Sequence, residues 1–98
     1  MTLDEMDELW QKFMDDEYHK FDRVQNKLSQ RADVHAFILL DKLVPGTEDM
    51  IGCSEHDEFY PSTDVEELAK VITEEQVLEL VRCGLRFDSG LPSLAMFA

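Results

Sequence analysis

The chain is short of positive charge, of glycine and proline, of cysteine and of long apolar runs, and each shortage narrows what it can do. Nine Lys and Arg stand against 22 Asp and Glu, a formal net charge of −13 over 98 residues. A surface of that sign repels DNA, RNA and anionic lipid, so direct nucleic-acid or membrane binding is disfavoured and a basic protein partner is the natural complement. With three Pro and four Gly there is no linker or low-complexity segment, and a hydrophobic content of 44% suits an ordered core rather than a disordered chain. Cys53 and Cys83 are too few for a disulfide framework and read as free thiols in a reducing compartment, with a single bridge as the alternative. No apolar run reaches the roughly 18 residues a membrane span requires, and MTLDEMDELW lacks the positive start and apolar core of a secretory signal. The expected location is the cytoplasm.

What is present reads as one acidic α+β domain over residues 1–98, since this length supports a single modest core. Residues 2–31 are predicted to form one long helix, opened by a Thr2-x-x-Glu5 capping box, with Asp4, Glu5, Asp7 and Glu8 at the positive end of the dipole. Lys20, Arg23, Lys27 and Arg31 crowd its other end. At 100° per residue Leu3, Met6, Leu9, Trp10, Phe13, Met14, Phe21, Val24 and Leu28 share one broad arc. Glu17 falls inside that arc, which requires either a break near Asp15-Asp16-Glu17 or a stretch lying outside the core. Unbroken, the helix would span roughly 42 Å and overhang a domain this small, leaving room for a structural homodimer through it.

The run DVHAFILLDKLVPG is apolar on both faces of an extended chain, as expected of a central strand, and MIGC after Pro45-Gly46 reads as its antiparallel return. Thr63-x-x-Glu66 and Thr73-x-x-Gln76 announce two short helices that turn Val65, Leu68 and Ala69, then Val77, Leu78 and Val81, inward. Gly84 is placed as a C-terminal helix cap. LRFD and SLAMFA supply one or two closing strands. The predicted order is α-β-β-α-α-β, with a small antiparallel sheet built from a hairpin plus a C-terminal strand.

The densest chemistry lies in GCSEHDEFY, residues 52–60. Cys53, His56 and Asp57 form the candidate for a metal-dependent or Cys/His enzyme-like module, in which the imidazole would deprotonate the thiol and the carboxylate would orient the ring. A structural zinc site needs about four converging ligands, and residues three apart on a strand point to opposite faces. Glu55, Asp57 and Glu58 would raise a thiol pKa rather than lower it. Cys53 therefore reads as a small core residue at a strand end, and the stretch from Ser54 to Glu58 as a bulge or loop forming an exposed acidic corner. Cys83 in the last turn of its helix reads as packing, His35 as a hydrogen-bonded structural histidine, and His19 as part of a polar helix face. EF-hand, P-loop, dinucleotide and metalloprotease spacings are absent, so no catalytic residue, metal or cofactor is assigned.

The acids are unevenly spread. Residues 44–81 hold eleven carboxylates against the single cation Lys70. On the first helix Asp4, Glu8, Asp15 and Asp22 fall within about 40° of one another, a ridge of about 27 Å at helical rise. Such a ridge resembles the phosphate line of a duplex, which basic grooves are built to neutralise. The expected function is a small non-enzymatic binding protein, an inhibitor or nucleic-acid mimic that docks on a basic surface of a nucleic-acid-handling protein. Asp4, Glu8, Asp15 and Asp22 make one contact set, Glu55, Asp57, Glu58, Glu66 and Glu67 a second, and Trp10 and Phe13 are candidate apolar anchors. In size and acid excess the chain resembles the accessory and inhibitor proteins of phages and mobile elements, a likeness of style and not of residues.

Overall fold

A computed structural model describes residues 1–97. Helix α1 spans Leu3–Glu17, opened by the full Thr2–Glu5 capping box. A single 3-10 turn at Phe21–Arg23 precedes helix α2, Ala32–Leu43. Strands β1 (Ile51–Glu55) and β2 (Glu58–Pro61) follow, then helices α3 (Val65–Val71) and α4 (Glu74–Arg82), then strands β3 (Leu85–Asp88) and β4 (Ser93–Phe97). The sheet is antiparallel throughout, in the order β1-β2-β4-β3. The chain is α+β, and the succession α-β-β-α-α-β describes it when the first helical block is taken as α1 with α2 and the closing strand as the β3–β4 pair. Ala98, the last residue of the predicted closing segment, lies outside the described residues.

The single helix predicted over 2–31 is broken after Glu17. Tyr18 leaves helical geometry and His19 takes a left-handed φ of 58°, while the His19 N–H donates to the Val81 carbonyl. Glu17, out of place among apolar residues, accepts hydrogen bonds from Arg23 at 3.0 Å and from Arg82 at 3.0 Å. Both contacts require the chain to double back at this point. The molecule measures 29 × 27 × 26 Å, so a helix of roughly 42 Å could not have stayed within it. The overhang that motivated a homodimer through the first helix is absent. Asp22 sits on the 3-10 turn, off the α1 axis.

The predicted strand over 33–46 is instead α2, with His35, Ala36, Leu39 and Leu40 buried at helical spacing. A run apolar on both faces suits a buried helix as well as a central strand, and a twelve-residue length with Ala, Leu and Lys favours the helix. The hairpin is therefore built later, by β1 and β2, around a two-residue turn at His56-Asp57 in which His56 has a φ of 55°. This turn is the loop expected within Ser54 to Glu58, and a further irregularity lies at Gly52, where the register shifts between Ile51 and Cys53. All five β1 residues are exposed, Cys53 included. Cys53 is not a core residue, because β1 is the edge strand of the sheet and is exposed along its whole length.

One apolar cluster joins α1, α2, α3, α4 and the inner faces of β3 and β4. Trp10 is at its centre with 0% exposure, its indole N–H donating to the Leu85 carbonyl at 3.0 Å and its ring 6.0 Å from Phe87. Burying an indole this way satisfies its polar atom and places α1 along the β3 edge. Phe13 is partly buried against the same cluster. Trp10 is thus unavailable as a contact anchor in the folded chain, and Phe13 largely so. The Thr73–Gln76 capping box is formed as predicted, whereas α3 is capped by Asp64, whose carboxylate accepts from the Glu66 and Glu67 N–H groups. Inward of these caps lie Val65, Leu68, Ala69, Val77 and Val81, with Leu80 more deeply buried than Leu78.

Gly84 ends α4 with a φ of +93°, and a Cβ there would lie 2.9 Å from His19 Nδ1. Its lack of a side chain is needed twice, for the left-handed backbone and for the approach of the doubled-back chain. Cys83 beside it is fully buried. No helix of the described residues is long and apolar enough to cross a membrane.

Candidate functional site

Two neighbouring surfaces collect most of the residues of interest. One is the solvent face of α1; the other is the outer face of the sheet and its hairpin tip.

On α1, Asp4, Glu8 and Asp15 are all exposed. Eleven residues separate the first from the last, about 16 Å at helical rise, so the predicted ridge is shorter than expected by the loss of Asp22 to the 3-10 turn. Glu5, on the flank of this line, has its pKa lowered by hydrogen bonds from Thr2, backbone first and hydroxyl second.

On the sheet, alternation sends Leu85, Phe87, Leu94 and Met96 to the core and Arg86, Ala95, Glu58 and Tyr60 outward. Glu55 and Glu58 are cross-strand partners at the hairpin end. Like charges directly opposite repel. Glu58 is relieved by an ion pair with Arg86, whose guanidinium also stacks 4.0 Å from the Phe97 ring centroid. Nε of Arg86 has no hydrogen-bond partner among the described residues. Glu55 receives less help: its side chain is 65% exposed, and among the described residues its one ion-pair contact is His56 Nε2 at 3.8 Å. Asp57 at the turn is exposed as well.

Between these surfaces runs a groove of about 540 Å³, walled by Asp7, Gln11 and Met14 of α1 and floored by Glu58, Tyr60, Arg86 and Asp88. The Gln11 amide donates to Asp7 at 3.2 Å. Three carboxylates surround one guanidinium that is already paired, so the groove favours cationic groups over anions. Asp7, Arg86 and Asp88 are functional candidates that sequence reasoning missed. The alternation in LRFD, which turns Phe87 inward and Arg86 outward, carried a signal for the latter.

The second predicted contact set divides. Glu55, Asp57 and Glu58 gather at the turn end of β2, whereas Glu66 and Glu67 follow its other end, in the first turn of α3. There Glu67 pairs with Lys70 at 3.2 Å and Glu66 is unpaired among the described residues. These acids stabilise the N-terminus of α3 through its dipole.

The three residues of the enzyme-like alternative, Cys53, His56 and Asp57, all lie exposed at the β1–β2 hairpin. Cys53 faces outward opposite Tyr60, its Sγ within reach of the Ser54 carbonyl at 4.0 Å, while His56 is 88% exposed on the turn. Among the described residues no group of three or more His, Cys, Asp or Glu is arranged to hold a metal ion. Burial, with Glu79 nearby, pushes the Cys83 thiol up to about 12, which leaves it protonated and unreactive. His35 is a hydrogen-bonded structural histidine, though on a helix: it is 1% exposed, accepts the Leu28 N–H on Nδ1 at 3.0 Å and meets Glu79 through Nε2 at 2.9 Å. It pins the connector between α1 and α2 to α4.

No protein-family model, curated protein or solved structure matches this chain.

Proposed function

We propose that the protein is a small non-enzymatic binding protein, an inhibitor or nucleic-acid mimic of the cytoplasm that docks its carboxylates on a basic surface of a nucleic-acid-handling protein. The observation that carries this reading is the fate of the cations. Arg23 and Arg82 are taken up by Glu17, Arg86 by Glu58 and Lys70 by Glu67; Lys12 and Lys27 lie over the rings of Phe13 and Phe21, and with Lys20, Arg31 and Lys42 they have no ion pair among the described residues. Asp4, Glu8, Asp15, Asp57 and Glu66 have no ion-pair partner among the described residues. An excess of unpaired carboxylates on two adjoining surfaces steers an oppositely charged partner and selects against an acidic one. The two free thiols, one of them exposed, support a reducing compartment.

The test is capture of partners from native lysate, washed at low and then high salt, with duplex DNA as competitor. A basic nucleic-acid-handling protein should be retained at low salt, released as screening shortens the reach of the charges, and displaced by the duplex. Replacing Asp4, Glu8 and Asp15 together by Lys should slow its association at least about tenfold at low salt. Partners whose retention ignores both salt and charge reversal would remove the basis of this reading.

A further inference from the structure

The two edges of the sheet are finished differently. At one edge β3 lies against α1, and the Leu85 carbonyl is taken by the Trp10 indole N–H. At the other edge β1 pairs with β2 on one side and with nothing among the described residues on the other. A two-residue turn makes the flanking Glu55 and Glu58 the closing hydrogen-bonded pair, so the next residue, Ser54, directs its N–H and C=O away from β2. Ser54 is exposed, and the neighbour of its carbonyl is the weak donor Cys53 Sγ at 4.0 Å. At Gly52 the register shift interrupts the ladder between Ile51 and Cys53. This is an edge of unpaired backbone groups, which an incoming extended chain can complete.

Charge decides what that chain is. From Leu43 to Ala69 there is no Lys or Arg, and the stretch includes Glu48, Asp49, Glu55, Asp57 and Glu58. A second copy would bring the same carboxylates, and a charge of −13, to the same line, which like-charge repulsion opposes. An extended segment rich in Lys and Arg meets the opposite field at every step. We infer that β1 accepts a basic, extended arm of a protein partner as an added fifth strand of the sheet. Backbone hydrogen bonds to Ser54 hold the arm, and Glu55 and Asp57 select its charge. Flexible basic arms are how many nucleic-acid-handling proteins grip phosphate, so this inference rests on the docking function proposed above and gives it a mode.

The test uses the full chain and a short synthetic peptide of alternating Lys and Thr. Three controls accompany it: an alternating Glu and Thr peptide, the Lys–Thr peptide N-methylated at every second residue, and an Asp57→Lys variant. The Lys–Thr peptide is expected to slow hydrogen exchange of the Ser54 amide by at least about tenfold, with cross-strand contacts to Ser54 in NMR spectra. The N-methylated peptide keeps its charge but loses alternate donors, and should lose that protection; the Glu–Thr peptide should not bind. Asp57→Lys, exposed on the turn and remote from the core, should weaken the Lys–Thr peptide with the fold intact. Salt-sensitive binding that leaves Ser54 exchange unchanged overturns the strand mode while leaving acidic docking standing. Failure of every basic probe to bind overturns both.

Discussion

The closed β3 edge and the open β1 edge belong to one sheet, yet they are built from opposite materials. Along β3 the chain spends its largest aromatic residue and seals a backbone carbonyl under α1. Nearby, Glu17 gathers Arg23 and Arg82 so that charge is paired on the spot. Along β1 every residue is exposed, the neighbouring carboxylates have no Lys or Arg within the segment, and Glu55 faces Glu58 across the ladder. Stability is concentrated at the first edge. Chemical tension left for a partner to relieve is concentrated at the second.

The contrast can be broken most severely at Trp10. Trp10→Ala removes a fully buried indole and should cost about 3–5 kcal/mol in urea-induced unfolding; a loss under about 1 kcal/mol would mean that α1 does not seal the β3 edge. An intermediate effect is expected from Glu17. Its pKa is lowered by hydrogen bonds from Arg82 first and Arg23 second. A carboxylate with a depressed folded pKa adds stability above the ordinary value of about 4.5 and loses it as pH falls through the folded value. Wild type should therefore be more stable than Glu17→Gln at neutral pH, with the difference shrinking on acidification below pH 4.5. A pH-independent difference would assign the effect to packing. The smallest change is expected at Glu55. Glu55→Lys removes a like-charge cross-strand pair and should raise stability by about 0.2–1 kcal/mol, even as it weakens a basic partner. Destabilisation there would erase the distinction between the two edges.

Local chemistry made much of this fold legible. The Thr2 and Thr73 capping boxes and the Gly84 stop depend on residues three or four apart, and each is formed. The α+β class was read from the order α-β-β-α-α-β, and it holds although the strand expected over 33–46 is helix α2. What failed were readings in which the deciding partner lies far along the chain. Phe21, Val24 and Leu28 keep helical spacing with Met6 and Trp10, so periodicity alone joined segments that Glu17 separates; Arg82, which helps to hold the break, is 65 residues from Glu17. The run over α2 was apolar on two faces, and periodicity cannot distinguish a buried helix from a central strand there. At the candidate site the exposed acids of α1 and the acidic turn could be foreseen. The pairing of Glu58 with Arg86, the division of Glu66 and Glu67 from the tip, and the burial of Trp10 could not, because each is a consequence of tertiary arrangement.

The placement of the two sulfur atoms has a practical corollary. Cys83 is sealed in the core with its thiol held at about 12, whereas Cys53 lies in the open on β1. A maleimide dye added to native protein will therefore attach at a single position on the free strand, without any substitution. Its emission becomes a direct optical gauge of whether another chain has come to lie alongside.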